Sequence, residues 1–420
     1  MAFLSPDTRV LKIRDFRNFI IAKFCLTFAT RTLGVMVGWM VYEHTHSAFS
    51  LGLIGLSEAI PFLITAFFAG HVADVVPRKS IVMVCSIGYL LCAVGLLLVR
   101  WKFAWVTAQA GLLPIYLLIF LTGIVRGFYA PAHGAFAAQL IPRELMVYAS
   151  VWNSISFDIS AVSGPAMGGL VYGFAGPIAA FGLVVVFASA ACVLFARVAS
   201  RPLPDQTRRE PMMQSLREGL RFVFTTQELV GAFALDMFAV LFGGAVALLP
   251  AFASQILNCG PQGLGYLQAA PAVGAILTSL VLAANPPRQN AGRKMLFAIA
   301  GFGLCMMGFA LSTTFWLSWV FLFLSGVCDE VSVIVRSTIV QLFAPEHLRG
   351  RVEAVSKIFI GSSNEIGAFE SGTAASLLGL RRSVMAGAGV TLLVVGTAWY
   401  RLPRIRHLHF SASGIAGEKK

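Results

Sequence analysis

The sequence predicts an all-α integral membrane protein, with twelve transmembrane helices in two six-helix pseudo-repeats. Three observations predict it. Hydrophobic residues make up 57% of the 420 and charged residues only 12%, about half the charge of a soluble domain. Apolar stretches long enough to span a bilayer, about 20 residues each, follow one another along the whole chain. Landmarks of the first half also return in the second. Pro142-Arg143-Glu144-Leu145 is answered by Pro345-Glu346-His347-Leu348, 203 residues later, and at the same offset Gly164, Gly168 and Gly169 meet Gly367, Ser371 and Gly372.

The apolar stretches fall near 18–42, 50–73, 80–99, 112–140, 146–174, 177–198, 229–256, 263–284, 294–312, 315–343, 352–379 and 383–400. Each break carries Gly, Pro or charge, as a connection should. The one long polar segment, with Pro202, Pro204, Asp205, Arg208, Arg209, Glu210 and Pro211, sits mid-chain and divides the stretches six from six. The predicted organisation is an N-terminal half at 1–198, a central cytoplasmic loop at 199–227, a C-terminal half at 228–401 and a cytoplasmic tail at 402–420. Lys/Arg counting sets the orientation. With both termini inside, the inner segments hold 23 basic residues and the outer loops hold Arg100, Lys102, Arg381 and Arg382. Both ends are therefore expected in the cytoplasm. Parallel repeats of this kind place a solute site between the halves, near the bilayer midplane.

The net charge of +13 does not indicate nucleic acid, because the basic residues lie in short runs between apolar stretches rather than on one amphipathic face. The seven cysteines form neither CxxC nor a metal spacing with histidine, and they read as small buried hydrophobes. The apolar run that follows Arg17 is too long for a signal-peptide core, so the first helix is expected to be retained. No P-loop, GxSxG or HExxH is present, and no stretch is left for a soluble catalytic domain. His44 and His46 lack further ligands nearby and read as a solvated loop. An enzyme, a cofactor site and a resident metal are not expected.

Between the second and third stretches the chain reads Gly70-His71-Val72-Ala73-Asp74-Val75-Val76-Pro77-Arg78-Lys79. Gly70 would let a neighbouring helix approach, and Asp74 could pair with Arg78 in a tight turn that works as a gate with Lys79. This turn resembles the signature loop of the major facilitator superfamily, G-x-x-x-D-x-x-G-R-K. Val75 departs from that pattern where a basic residue is common, and Pro77 replaces its glycine. In the fifth stretch Gly164, Pro165, Gly168 and Gly169 make a small-residue packing face, similar to the fifth-helix motif of the superfamily's antiporters, which implies export. Three further segments resemble the branch that holds enterobactin exporters and macrolide-efflux-like proteins: Arg14-Asp15-Phe16-Arg17, Gly127-Phe128-Tyr129-Ala130-Pro131-Ala132, and Arg336-Ser337-Thr338 through Arg349-Gly350-Arg351 to Ser363-Asn364-Glu365-Ile366-Gly367. The resemblance covers nearly the whole chain and implies the major facilitator fold.

A charge inside a membrane is expensive and marks a functional hypothesis. The candidates for proton or substrate coupling are Arg31, Glu58, Arg126, Asp158, Asp236, Asp329, Glu330, Arg336, Glu365 and Glu370. Glu58 and Asp236 have the cleanest positions. Asp329 or Glu330 lies about two turns from Arg336 and is expected to pair with it inside the tenth helix. Lys357 reads as a snorkelling side chain. Trp39, Phe128, Tyr129 and Trp152 are candidates for lining a cavity that takes an aromatic solute.

These readings give a monomeric, proton-driven secondary transporter of the bacterial inner membrane, whose partners are the lipid bilayer and a small organic molecule such as a siderophore or an amphipathic drug. The alternatives are an importer or lysophospholipid-type flippase of the same fold, and a membrane sensor that transports nothing.

Overall fold

The computed structural model describes residues 9–202, 212–284, 289–406, 408, 410–411 and 414–415. The side chains of His71, Asp74, Arg143, His347, Arg349 and Lys357 lie outside the described residues, as does 203–211 of the central segment.

The described residues are almost entirely helical. Its long helices are α1 (Arg14–Thr45), α2 (Ala48–Val75), α3 (Arg78–Trp101), α4 (Leu113–Gln139), a continuous run Met146–Ala196 that supplies α5 and α6, α7 (Gln227–Gly243, continued by Ala245–Leu248 and Leu249–Gln255), α8 (Gly260–Ala284), α9 (Ala291–Leu311), α10 (Phe315–Phe343), α11 (Glu346–Leu378) and α12 (Leu380–Arg401). Among the described residues, ten helices are long and apolar enough to cross a bilayer. The run Met146–Ala196 counts once there, yet Gly176 breaks it with φ 85° and ψ 170°, a backbone that only glycine adopts readily. The other helix missing from the ten is α11, which is 33 residues long but carries Glu365 and Glu370 among many polar residues. These two cases separate ten from the expected twelve.

The structure adds three features to the sequence reading. A short helix, Phe103–Ala110, fills the connection between α3 and α4. A helix, Met212–Thr225, occupies the central loop. Helix α7 is interrupted at Gly244, where the backbone turns extended. The tail carries a two-residue antiparallel ladder, Phe410–Ser411 with Gly414–Ile415.

The chain packs as two compact units. One holds Met1–His44, Ser57–Arg208 and Cys259–Ala269, and the other holds Thr45–Leu56, Arg209–Asn258 and Ala270–Lys420. This division departs from the sequence halves at two places, since 45–56 and 259–269 each join the other unit. In the second unit Gly52 accordingly lies against Phe369 and Gly372. In the first, Gly169 lies against Pro261 and Gly265.

The internal repeat is visible in how the helices cross. In the first unit a Cβ on Gly123 of α4 would stand 2.7 Å from the Pro61 ring of α2. In the second unit Gly326 of α10, 203 positions on, lies against the Pro271 backbone of α8. Gly164 of α5 approaches α1, with its Cβ position 3.1 Å from the Phe28 carbonyl. Its counterpart Gly367 of α11 approaches α7, 3.1 Å from Leu241. Small residues at these crossings let backbones touch, which is how helices associate in lipid without a hydrophobic driving force between them.

Among the described residues, no atom lies within 4 Å of the Gly70 Cβ position.

A side chain at Gly326 must displace the Pro271 backbone, and overpacking of this kind typically costs about 1–3 kcal/mol. Gly326→Leu is therefore expected to lower the thermal unfolding midpoint of the detergent-purified protein and its folded yield. Gly389→Ala, at a position with nothing within 4 Å, is expected to leave both unchanged. Equal unfolding midpoints for the two variants would refute the crossing.

Candidate functional site

Each unit holds intramembrane charges that join two helices. In the first unit the Arg126 Nη1 of α4 donates to the Glu58 Oε1 of α2 at 2.7 Å. The side chains are 34% and 27% exposed, so the pair is not sealed. Gly123 lets it form, because its Cβ position is 2.5 Å from the Glu58 carbonyl oxygen, and any larger residue would push α2 and its carboxylate away. One turn on, Gly127 packs against Thr65. The Arg126 guanidinium also lies 4.9 Å from the centre of the Phe62 ring, within cation–π range.

Around this pair the first unit is aromatic. Tyr89 of α3 and Tyr129 of α4 meet edge to face at 6.3 Å, and the His133 ring lies between Tyr129 at 5.1 Å and Phe19 at 4.9 Å. Arg31 of α1 stands over Phe157 of α5 at 5.2 Å. The indole nitrogens of Trp39 and Trp152 and the Tyr129 hydroxyl are buried without a hydrogen-bond partner among the described residues. Phe128 packs on the buried cluster that α1 forms with its neighbours.

In the second unit Arg336 of α10 pairs with Asp236 of α7, and both side chains are under a tenth exposed. This corrects the expected pairing inside α10. Residues six or seven apart stand about 10 Å apart along a helix at 1.5 Å per residue, whereas α7 crosses α10 and delivers a carboxylate directly. Asp329 makes no hydrogen bond or ion pair among the described residues, and it lines a small cavity with Asp236, Ser332 and Cys328. Glu330 accepts a hydrogen bond from Ser279 of α8 at 2.6 Å. Glu370 accepts from its neighbour Ser371 at 3.4 Å, and the same hydroxyl reaches the Gly244 carbonyl, at the break in α7, at 3.3 Å. The Glu365 backbone carbonyl lies against Gly55 in the same unit.

At the gate motif, Arg78 Nη1 donates to the Ala135 carbonyl at 3.1 Å and Lys79 Nζ to the Ala196 carbonyl at 2.9 Å. Both basic residues thus hold the ends of other helices, while Asp74 lies outside the described side chains. In the fifth-helix motif the Gly164 carbonyl, next to Pro165, accepts the Thr32 hydroxyl at 2.9 Å, and Gly168 sits against Thr32 as well. His44 rests edge-on against Phe103. Among the described residues no group of three or more His, Cys, Asp or Glu side chains could hold a metal ion.

Sequence reasoning missed Lys23. It lies within the first apolar stretch and is only 7% exposed. Its Nζ donates to the Asn153 carbonyl at 2.8 Å and to the Asn153 side-chain oxygen. The signal was available, since a lysine one turn into an apolar run meets the same criterion that selected Arg31.

Removing one partner of a buried ion pair leaves the other charge uncompensated, which costs about 3–5 kcal/mol, whereas replacing both is often neutral. Asp236→Asn is expected to lower the thermal unfolding midpoint sharply, and adding Arg336→Met is expected to recover most of the loss. A double variant no more stable than the single one would show that the pair is not the source.

Comparison with known proteins places the chain. A family model described as transmembrane secretion effector, within the major facilitator superfamily, matches residues 8–414. The chain is 27% identical over 387 residues to the enterobactin exporter EntS of Shigella dysenteriae serotype 1, covering 91% of this chain and 90% of that protein. The EntS of Escherichia coli O1:K1 matches at the same identity and coverage. Among solved structures, a POT family transporter in complex with 5-aminolevulinic acid superposes with a TM-score of 0.75 at 11% identity, over 93% of this chain and 96% of that one. A bacterial homologue of the human lysosomal transporter Spinster gives 0.74 at 14% identity, over 94% and 97%. The fold is therefore the major facilitator fold, and the chain, a multi-pass membrane transporter and not an enzyme, belongs to the transmembrane secretion effector family of the major facilitator superfamily.

Proposed function

We propose that this protein exports a small organic molecule in exchange for protons. The observation that carries this reading is the Glu58–Arg126 pair, an arginine and a carboxylate joined across two membrane helices yet left partly exposed. With Glu58 charged, the pair and the Phe62 ring beneath the guanidinium form a site for a cationic or aromatic group of the solute. Protonating Glu58 from the outer side cancels the charge that holds that group and releases the solute there. The carrier opens to one side at a time, so when it next faces the cytoplasm the proton leaves, the pair re-forms, and a proton carried in has been exchanged for solute carried out. In the second unit Asp236 is the counterpart candidate. It is sealed by Arg336, so its proton would arrive by way of Asp329, on the wall of the same cavity.

Export rather than import is supported by the names of the EntS relatives and by the Gly164-Pro165 motif. The excess of Lys and Arg in alternate connections supports cytoplasmic termini in a bacterial inner membrane. The energy source on this reading is the proton gradient, with no cofactor, and the monomer is the working unit.

Inside-out vesicles with an imposed pH gradient test the reading, with iron-free enterobactin and ethidium as probes. Accumulation of either that collapses with a protonophore is the expected result, and Glu58→Gln is expected to cut it at least tenfold while leaving the protein folded. Accumulation only in right-side-out vesicles would overturn export. Full pH-driven uptake by Glu58→Gln would overturn the role of the pair.

A further inference from the structure

The seam between α1 and α5 carries a polar ladder. Asn153 takes Lys23, the Ser156 hydroxyl reaches the Ile20 carbonyl at 3.5 Å, the Ser160 hydroxyl reaches the Phe24 carbonyl at 3.3 Å, and Thr32 closes on Gly164. The serines and Thr32 are ordinary braces, but Lys23 is not. An ammonium group that is more than nine-tenths buried in a membrane helix is costly, and it brings three donors. Asn153 supplies two oxygens, both neutral. Asp158 lies on the same helix as Asn153, between the ladder's Ser156 and Ser160, which places its charge beside the seam that holds Lys23. Asp158 is half-buried and makes no ion pair or hydrogen bond among the described residues.

A lysine needed only to tie two helices would be matched by a carboxylate in contact, as Arg336 is. Here the positive charge is fixed by an amide, and the carboxylate stands uncommitted within its field. That arrangement leaves the carboxylate able to take and lose a proton without breaking the tie. We propose that Asp158 is a proton-binding site of the first unit, separate from Glu58–Arg126, and that Lys23, clamped by Asn153, is the positioning residue that sets its proton affinity. The other charged or titratable groups facing this seam are Arg31 over Phe157, His133 stacked on Phe19, and the thiols of Cys25 and Cys85 in the cluster behind it.

The proposal deepens the proton-coupled reading and rests on it for its purpose, but its test needs no transported solute. The full chain in lipid nanodiscs is titrated by infrared difference spectroscopy, following the protonated-carboxyl band that Asp158→Asn abolishes. An ammonium nearby favours the carboxylate, so Lys23→Gln is expected to move the midpoint of that band to higher pH by about one unit or more, the scale of an adjacent opposite charge. Lys23→Arg keeps the charge and is expected to leave the midpoint in place. Should Lys23→Gln fail to fold, Asn153→Asp decides, because a new carboxylate against Lys23 takes up its charge and is expected to raise the midpoint too. That variant is read against Asn153→Asp carrying Asp158→Asn. A titration that loses no band in Asp158→Asn, or a midpoint that does not rise in any folded charge-altering variant, overturns the proposal. A normal titration together with failed vesicle export would overturn the transport reading and leave this site standing.

Discussion

A charge placed inside an apolar slab is costly unless a partner or a cavity meets it, and for a partner on another helix the two helices must come close enough to present it. Much of this structure follows from that pair of demands. Arg126 reaches Glu58 because Gly123 brings α4 against the backbone of α2, and Arg336 reaches Asp236 because α7 and α10 cross at that level. The glycines do not bind anything. They set the distance at which an arginine and a carboxylate become a pair instead of two separate desolvated charges.

The same crossings recur in both units, but what they carry does not. At the 203-residue offset Gly123 corresponds to Gly326, while Arg126 corresponds to Asp329 and Gly127 to Glu330. The repeated backbone geometry is therefore dressed with a cation in the first unit and with acids in the second. Lys23, Arg31 and Arg126 face Glu58 and Asp158 in one, whereas Asp236, Asp329, Glu330, Glu365 and Glu370 outnumber Arg336 in the other. Where backbones approach most closely, as at Gly123 and Gly326 or Gly164 and Gly367, both units keep the glycine. The side chains that point away from the crossing are free to diverge.

The fold was legible because apolar length and repeat spacing are local or periodic, and both survive in a single chain. The candidate charges are legible one by one for the same reason, since a charge in an apolar run is visible without knowing its partner. Partner choice was not legible. Arg336 was matched to acids of its own helix, because sequence shows neighbours along a chain but not across a crossing. Lys23 is masked by the run of basic residues just before its apolar stretch, and the break at Gly244 falls inside one continuous apolar stretch, 229–256. Helix α11 shows the converse, since its length is clear but its charges hide it from a test of apolarity.

The two ion pairs also differ in what they can do, and exposure decides it. Asp236 and Arg336 are nearly sealed, so separating them leaves a bare charge in a medium that cannot solvate it, at a cost near that of breaking any buried pair. Glu58 and Arg126 remain about a quarter and a third exposed, and a partly exposed ion pair exchanges partners at lower cost than a sealed one. Whatever cycles in this protein must cycle where the energetic penalty is small. On the proposed reading the first pair is the switch and the second the brace, and Asp329, on the wall of the cavity beside the brace, is the group through which a proton would loosen it.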